Sequence, residues 1–255
     1  MAKPRKSARP FFRRLALAAS AWVGVAAAPA HATVEVTGYT YTPQAVFGGF
    51  TIAGNAYTGN AGRFLSDIHD LATDTTVQRY TWCVDALTPY FTYAPYDVVS
   101  LSSAFADPVK QSQLAALLSH ADAAIAAAGD SNAQSIAGAG MALAIWEIVY
   151  ESGNSGYSLG SGNFSAWGDF TLGSIAAGND YLGKVENLTW QGNAGDVRML
   201  SFADRNSPTQ NQIYLQGSVP EPATWLTMLL GFGLLGAMLR RQRVRGGVGF
   251  GLSPA

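Results

Sequence analysis

The amino-acid sequence predicts an α+β domain in which β-strands pack against a two-helix hairpin, with a signal peptide before it and a single transmembrane helix after it. Three observations support this prediction. Segments rich in β-forming residues follow residue 33, two long helical patterns follow residue 107, and both ends of the chain combine an apolar stretch with basic residues.

The first 32 residues have the three parts of a secretory signal peptide. A basic region, MAKPRKSARPFFRR, precedes the apolar stretch LALAASAWVGVAAA at 15–28. The sequence AHA then places small residues, Ala30 and Ala32, at the two positions that a signal peptidase reads, which predicts cleavage after Ala32. We therefore expect the mature protein to begin at residue 33 and to be exported across the inner membrane.

Three segments after the signal peptide have the composition of β-strands. VEVTGYTYTP at 34–43 alternates, AVFGGFTIAG at 45–54 is apolar and interrupted by glycine, and VQRYTWCVDA at 77–86 is rich in β-formers. Residues 197–217, VRMLSFADRNSPTQNQIYLQG, predict a closing hairpin with its turn around Asn206-Ser-Pro-Thr.

Two helical patterns between these segments predict an antiparallel helical hairpin. Asp107 before a proline is a helix N-cap, and an apolar stripe at steps of three and four continues from there to Gly129. A capping box from Ser131 to Gln134 predicts the second helix, which we expect to end near Gly153.

The region that follows carries weaker signals. Residues 153–174 are rich in glycine, serine and aromatic residues, which predicts an ordered loop region. A short helix is expected near 174–186. The sequence shows no repeat of fixed period.

The chain ends in the apolar segment VPEPATWLTMLLGFGLLGAMLRRQR at 219–243. Ala223 to Leu239 is uncharged and would form a helix about 25 Å long, against a hydrocarbon core of about 30 Å. Trp225 and the arginines from Arg240 onward can extend this span into both interfaces. Arginines after the span predict that the last residues are a cytoplasmic tail.

This segment resembles the PEP-CTERM sorting signal in its PEPxxWA form. The residues that carry the resemblance are Pro220, Glu221, Pro222, Trp225, Arg240 and Arg241, with Leu226 where that form has alanine. The resemblance implies that an exosortase-type membrane enzyme removes the anchor near Pro-Glu-Pro and passes the protein to the cell surface or extracellular matrix. Such systems accompany exopolysaccharide production. The expected boundaries are 33–218 for the exported domain, 219–245 for the sorting signal and 246–255 for the tail.

Residues 80–170 carry a second resemblance, to the thioester domains of bacterial surface adhesins. YTWCVDALTPY places Cys83 at the cysteine position of that family, and LAIWEIVY is similar to its glutamine-bearing helix. The resemblance implies a thioester that acylates an amine on another surface. Ala142 stands at the glutamine position and has no carboxamide, so that crosslink cannot form there. A covalent adhesin that uses Cys83 and another glutamine is the remaining alternative.

The distribution of charge argues against nucleic acid as a partner. Residues 1–32 hold six basic groups and no acid, and residues 220–255 hold four arginines and one acid. Residues 33–219 therefore keep six basic and sixteen acidic groups, a net charge of about −10. A nucleic-acid-binding protein concentrates positive charge on its folded part. The expected partners are instead the processing enzyme, the membrane during sorting, and extracellular polysaccharide or surface proteins.

The remaining candidate residues give weak signals. Cys83 is the single cysteine, so an intramolecular disulfide is excluded, and we expect a buried rather than a reactive thiol. Asp67, His69 and Asp70 lie together in SDIHD, but the sequence offers no second half of a metal site, so neither a metal nor a cofactor is expected. His120 is expected to be a surface or packed residue.

We expect no catalytic residues and a non-enzymatic role in adhesion or in biofilm structure. The sequence contains no GxSxG elbow, HExxH pair, P-loop or EF-hand loop. The main alternative is an enzyme acting on exopolysaccharide through two carboxylates about 5–10 Å apart, with Asp67, Asp70, Asp85 and Glu147 as candidates. Exposed aromatic residues would favour binding instead. The aromatic candidates are Tyr39, Tyr41, Tyr80, Trp82, Tyr90, Phe91, Tyr93, Tyr96, Trp146, Trp167 and Trp190. Of these, Trp82 and Trp146 are expected in the core.

Overall fold

The computed structural model describes residues 33–202 and 209–217 of the 255-residue chain. The predicted signal peptide, most of the predicted hairpin turn, the predicted sorting signal with its predicted transmembrane helix, and the predicted cytoplasmic tail lie outside the described residues. The described residues belong to the predicted exported domain.

The described residues form nine β-strands and four α-helices. The strands are β1 Thr33–Tyr41, β2 Val46–Ile52, β3 Asn55–Ala61, β4 Phe64–Asp70, β5 Thr75–Cys83, β6 Pro95–Ser100, β7 Phe164–Trp167, β8 Val197–Phe202 and β9 Gln212–Leu215. The helices are α1 Leu101–Ala104, α2 Pro108–Ala127, α3 Ser131–Tyr150 and α4 Ser174–Glu186.

Six of the strands close into an antiparallel barrel in the order β1-β4-β5-β9-β8-β6. A small apolar core inside it is made by Val34, Val36, Ile68, Tyr96, Leu200 and Tyr214. The predicted closing hairpin is present as the antiparallel pair β8 and β9. The sequence does not predict the barrel, because four of the seven residues of β4 are polar and β6 begins with Pro95. Both strands depend on pairing with strands that are distant in the sequence.

The other three strands form a separate sheet in the order β3-β2-β7. Strands β2 and β3 are joined by Ala53 and Gly54, both with positive φ, as a tight two-residue hairpin turn requires. Strand β7 pairs with β2 from Ile52 opposite Phe164 to Gly49 opposite Trp167. The expectation of a loop over residues 153–174 is therefore wrong at β7, whose four residues are too short to give a local pattern.

Both predicted long helices are present, and one of their caps differs from the prediction. The Asp107 carboxylate caps α2 by accepting a 2.8 Å hydrogen bond from the Val109 amide. At the start of α3 the cap is Asp130, which accepts from the Ala133 amide at 2.9 Å. Gln134 instead donates to the Gly129 carbonyl. The predicted capping box at Ser131 is thus wrong by one residue, because Asp130 also has a capping side chain.

Helix α3 forms the centre of the main core. Its residues from Ala137 to Ile148 are all buried. Within the described part of the chain it is the one helix long and apolar enough to cross a membrane, but 67% of its most apolar window is buried inside the domain. A Cβ at Gly140 would come within 2.8 Å of the Ala177 side chain on α4. The apolar and small residues of α3 therefore serve close packing inside the protein.

Candidate functional site

A cleft of about 350 Å³ lies between barrel strand β1, the β2–β3 hairpin, helix α3 and the segment that follows β5. Its volume is within the range of small-molecule sites. Six aromatic side chains line it: Tyr39, Tyr41, Phe50, Phe64, Tyr90 and Trp146. The barrel supplies two tyrosines from β1 and Phe64 from β4, the three-stranded sheet supplies Phe50, and α3 supplies Trp146. We call this site the aromatic cleft.

The barrel side of the aromatic cleft is an interlocked group of rings. The centroid of Tyr39 lies 5.3 Å from that of Phe64 in an edge-to-face arrangement and 4.4 Å from that of Tyr90. Phe64 and Tyr90 are 5.0 Å apart, also edge to face. Such pairs contribute about 0.5–1.5 kcal/mol each beyond the area they bury. Tyr39 remains 36% exposed, so part of its ring is open to a ligand.

Trp146 forms the floor of the aromatic cleft. Its indole Nε1 donates a 3.0 Å hydrogen bond to the carbonyl oxygen of Cys83, and its ring lies 5.3 Å from that of Phe50. Only 3% of Trp146 is exposed, as expected for a core tryptophan. A buried indole whose N–H is satisfied has a fixed orientation, so the floor is rigid.

The segment after β5 forms the opposite wall and is held by side-chain hydrogen bonds. The Gln210 carboxamide donates to the carbonyl oxygens of Asp85 and Thr88, at 3.2 and 3.1 Å. The Thr88 hydroxyl donates to the Asp85 carboxylate at 2.6 Å. The amide of Ala86 donates to the Tyr150 hydroxyl at 2.9 Å. This wall is preformed, which reduces the entropy cost of binding a ligand.

The aromatic cleft is electrically neutral. Among the residues that the structure describes, those lining it include no Asp, Glu, Lys, Arg or His. Burial raises the pKa of Tyr41 to about 12, and burial also raises the pKa of Tyr90 above its ordinary value. Both phenols are therefore protonated at any physiological pH. The polar residues of the described lining are the tyrosines Tyr39, Tyr41 and Tyr90 together with Asn60, Thr88 and Gln210.

The four carboxylates considered for hydrolysis do not line the aromatic cleft, although Asp85 borders it through its hydrogen bond with Thr88. Within the described lining of the aromatic cleft, none of the four is present. Asp67 accepts a hydrogen bond from the Gln78 carboxamide at 2.9 Å, and Asp70 accepts from two backbone amides of the following turn. Asp85 binds the Thr88 hydroxyl, as described above. Glu147 is 1% exposed and accepts from the Ser158 amide at 2.9 Å.

The SDIHD sequence does not assemble a metal site with other residues. It lies on strand β4, where His69 faces the Thr76 hydroxyl at 3.1 Å. The backbone hydrogen bonds to Asp70 lower the pKa of its carboxyl group. Across residues 33–202 and 209–217, no three His, Cys, Asp or Glu side chains are grouped so that they could hold a metal ion.

Cys83 lies at the end of β5 with its thiol in the protein interior. The residue is 3% exposed, and burial raises the pKa of the thiol well above its ordinary value. The thiol therefore stays protonated and is a poor nucleophile. Ala142 is 1% exposed on α3, within the same core.

One buried glutamine lies opposite Cys83 on the neighbouring barrel strand. Gln212 on β9 is the register partner of Cys83, so the two side chains project from the same face of the sheet. Gln212 is fully buried and donates to the Gln210 side chain at 2.7 Å, while its own Oε1 accepts no hydrogen bond from the described residues. The sequence did not indicate this pairing, because strand register cannot be read from two segments 130 positions apart.

A larger cavity of about 490 Å³ lies between α2 and the residues that follow α4. Its most prominent aromatic residue, Trp190, already stacks on His120 at 4.9 Å and on Tyr181 at 5.2 Å. The Lys184 ammonium lies 5.0 Å from the Trp190 ring. Since these side chains already pack against the Trp190 indole, the larger cavity offers less open aromatic surface than the aromatic cleft. His120 is a packed residue, as expected.

Comparison with known proteins identifies the C-terminal segment. The sequence model of the PEP-CTERM protein-sorting motif matches residues 218–243. No curated protein and no solved structure matches the chain. The predicted sorting signal is thereby confirmed, whereas the resemblance to thioester domains gains no support and stays a prediction from the residues.

The sorting motif defines the class of protein. It marks an exported protein that is anchored in the membrane during sorting and is processed by an exosortase. The motif covers about a tenth of the chain and gives no information about what the domain at 33–217 does.

Proposed function

We propose that this exosortase-sorted protein is a non-enzymatic component of the cell surface or extracellular matrix that binds a neutral polysaccharide in its aromatic cleft. The observation that carries the proposal is the combination of six aromatic side chains with the absence of charged side chains among the described lining residues. The role would be adhesion to, or organisation of, a polysaccharide matrix.

The chemistry of the aromatic cleft suits a sugar ring. One face of a pyranose presents C–H groups, which pack against the negative face of an aromatic ring, and its hydroxyls bind phenols and carboxamides. Tyr39 offers a partly open ring, and Asn60, another residue of the lining, is exposed. An anionic polymer would find no cation in the described lining, and an acidic domain repels it.

Hydrolysis finds no comparable support. Glycoside hydrolysis requires an acid and a base or nucleophile on the two sides of the scissile bond. The four candidate carboxylates bind side chains and amides of their own surroundings, and the described lining contains none of them. We therefore propose binding without turnover.

Affinity electrophoresis of the full-length protein in mild detergent tests the proposal. The gels contain one polysaccharide each: dextran, mannan, galactan or hydroxyethyl cellulose as neutral polymers, and alginate or hyaluronate as anionic ones. We expect retardation by at least one neutral polymer and by neither anionic polymer. Retardation by the anionic polymers alone, or by none, would contradict the proposal.

Two tyrosine variants localise the binding. Tyr39→Ala removes one aromatic ring from the wall of the cleft. It should weaken retardation by roughly 2- to 10-fold, which corresponds to the free energy of one aromatic contact. Tyr80→Ala is the matched control, because Tyr80 is 38% exposed against 36% for Tyr39 and does not line the aromatic cleft. Equal retardation of the two variants would place the site elsewhere.

The covalent alternative remains a second candidate because of the Cys83–Gln212 pair. Attack of the Cys83 sulfur on the Gln212 side-chain carbonyl carbon would form a thioester and release the carboxamide nitrogen as ammonia, with the thiol proton leaving on it. Among the glutamines, Gln212 is the best candidate for the thioester, because its buried Oε1 accepts no hydrogen bond from the described residues and it lies opposite Cys83 on the next strand. The raised pKa of the thiol argues against the attack, so this candidate ranks second.

Intact mass and thiol titration of the denatured protein distinguish the two candidates. Non-covalent binding predicts the full mass and one titratable thiol. A thioester predicts a mass lower by one ammonia, no free thiol, and coupling to methylamine that is lost in both Cys83→Ser and Gln212→Glu.

A further inference from the structure

The middle of strand β2 contains two consecutive glycines that admit aromatic rings on opposite faces of the three-stranded sheet. A Cβ at Gly48 would come within 2.6 Å of the buried Phe170 ring, on the face toward the core. A Cβ at Gly49 would lie 2.5 Å from three atoms of the Trp167 indole. Trp167 therefore lies flat across the backbone of β2, and its contact with the sheet requires glycine at position 49.

The ring of Trp167 is open to solvent on the side away from the sheet. Gly49 is buried although it is on the outer face, because the indole covers it, while Trp167 itself is 43% exposed. Phe47, two residues along β2 on the same face, is 55% exposed. Two large aromatic side chains thus lie next to each other, at about 8 Å between backbones, on one flat surface.

Apart from Ala56, the rest of this surface is polar, and all of it is uncharged. The positions that share the face are Ala56, Thr58 and Asn60 on β3, Thr51 on β2, and Ser165 on β7, as the strand register places them. Residues 43–62 and 152–168, which contain all three strands, carry no charged side chain at all. The sheet is therefore neutral, although residues 33–219 as a whole have a net charge of about −10.

The outer face and the aromatic cleft share one residue of the edge strand β3. Asn60 is among the residues that line the cleft and is also the register partner of Phe47 on the outer face, whereas Phe50 and Gly59 line the cleft from the opposite face of the sheet. Directly opposed residues in an antiparallel pair lie about 4.5–5.5 Å apart. A chain that leaves the cleft and passes around the edge of β3 at Asn60 would therefore meet Phe47 and then Trp167.

We propose that the outer face of the β3-β2-β7 sheet is a second binding site for the same neutral polysaccharide, in which sugar rings stack on Trp167 and Phe47. The ligand class rests on the function proposed for the aromatic cleft, and the site itself rests on Gly49, Trp167 and the uncharged face. We call this outer face, with Trp167 and Phe47, the platform. The aromatic cleft and the platform together would hold an extended stretch of polymer rather than a single sugar.

A second copy of the chain is a less suitable occupant. Three strands at about 4.8 Å spacing and five residues of β2 at about 3.4 Å each give a face of roughly 240 Å². A stable protein dimer buries about 800 Å² per partner. The hydroxyl and carboxamide groups around the rings suit sugar hydroxyls better than an apolar protein surface.

Affinity electrophoresis of full-length variants with the four neutral polymers tests this site. Trp167→Ala and Gly49→Ala should each weaken retardation by roughly 2- to 10-fold, the second because a Cβ displaces the indole from the sheet. Trp167→Tyr keeps a flat ring and should retain most of the retardation. Tyr80→Ala serves as the control for loss of an exposed aromatic residue on the barrel, and thermal unfolding confirms that each variant is folded.

The outcomes separate this site from the aromatic cleft. Loss with both Tyr39→Ala and Trp167→Ala supports both sites. Loss with Tyr39→Ala and wild-type retardation with Trp167→Ala and Gly49→Ala overturns the platform and leaves the cleft. Loss of retardation with Trp167→Ala but not with Tyr39→Ala would show that the aromatic cleft does not bind the polymer. If no neutral polymer retards the wild type, or if Trp167→Ala changes only the oligomeric mass in light scattering, the platform is overturned.

Discussion

Trp146 and Glu147 are neighbours on α3, yet they belong to two regions of opposite character. Trp146 forms the floor of the aromatic cleft, where rings pack on rings and the described lining carries no charge. Glu147 faces the segment 152–163, which has no charged residue of its own and whose amides bind the carboxylates of Glu147, Glu151 and Glu186. Helix α3 thus contributes Trp146 to a neutral cleft, and it contributes Glu147 to a contact with the segment 152–163 whose stability depends on pH.

The two neighbours differ because burial has opposite effects on an aromatic ring and on a carboxylate. Burial of an aromatic side chain is favourable and also fixes the cleft. Burial of a carboxylate is costly in its charged form. Desolvation is the main reason that the pKa of Glu147 is raised to about 7, with the nearby Glu151 and Glu186 adding to it. The Lys110 ammonium on α2 donates to the carbonyl of Glu151, and among the described residues no salt bridge to Glu147 is present.

The largest expected effect is on the cleft floor. Trp146→Ala removes a buried ring that contacts Phe50 and leaves the Cys83 carbonyl without its donor. We expect a loss of about 3–5 kcal/mol in the free energy of unfolding, measured by urea denaturation. Trp190→Ala is the control, since Trp190 is half-buried and should cost less. A loss below about 1 kcal/mol for Trp146→Ala would mean that the floor is not rigid.

A smaller effect is expected at Glu147, and it depends on pH. Because the folded state binds the Glu147 proton more tightly than the unfolded state, its contribution to stability is complete below about pH 4.5 and is lost as pH rises through about 7. Glu147→Gln should therefore become more stable relative to the wild type as pH rises from 5 to 8, by on the order of 2 kcal/mol.

The control for this prediction is Glu186→Gln. Glu186 binds the same segment through the amides of Gly156 and Tyr157, but its side chain is exposed. Because the charge of Glu186 is only a lesser cause of the raised Glu147 pKa, after burial and Glu151, the difference between Glu186→Gln and the wild type should vary much less between pH 5 and 8 than that of Glu147→Gln. A flat difference for Glu147→Gln, measured by urea denaturation at each pH, would show that Glu147 is not the titrating group.

The smallest expected effect is that of pH on ligand binding. Since the described lining of the aromatic cleft has no group that titrates between pH 5 and 9, retardation by the best neutral polymer should change less than about 2-fold over that range. A steep change would show that the ligand contacts a carboxylate or histidine outside the cleft.

The sequence predicts the parts of this fold that depend on local patterns. Asp107, the apolar stripes and the glycine at 129 are enough to predict α2 and α3, and the alternation at 34–43 predicts β1. The barrel depends on pairings between segments that are far apart, and the strand β7 has four residues that become a strand only because β2 lies beside them. No local pattern contains that information.

The candidate site shows the same limit. The sequence supplies the aromatic residues but does not show that Tyr39, Phe50 and Trp146 converge from three elements. It also gives no reason to select Asn60 or Gln212, whose positions follow from strand register. The sorting signal is the opposite case, because its residues act in sequence order and a family model identifies them directly.

A crystal structure of the protein with an oligosaccharide from the best-binding neutral polymer tests the central claim most directly. We expect sugar density in the aromatic cleft, with a ring against Tyr39 and a hydroxyl within hydrogen-bond distance of Asn60. Sugar density confined to the larger cavity beside Trp190, or density within reach of two carboxylates on either side of a glycosidic bond, would contradict the proposal.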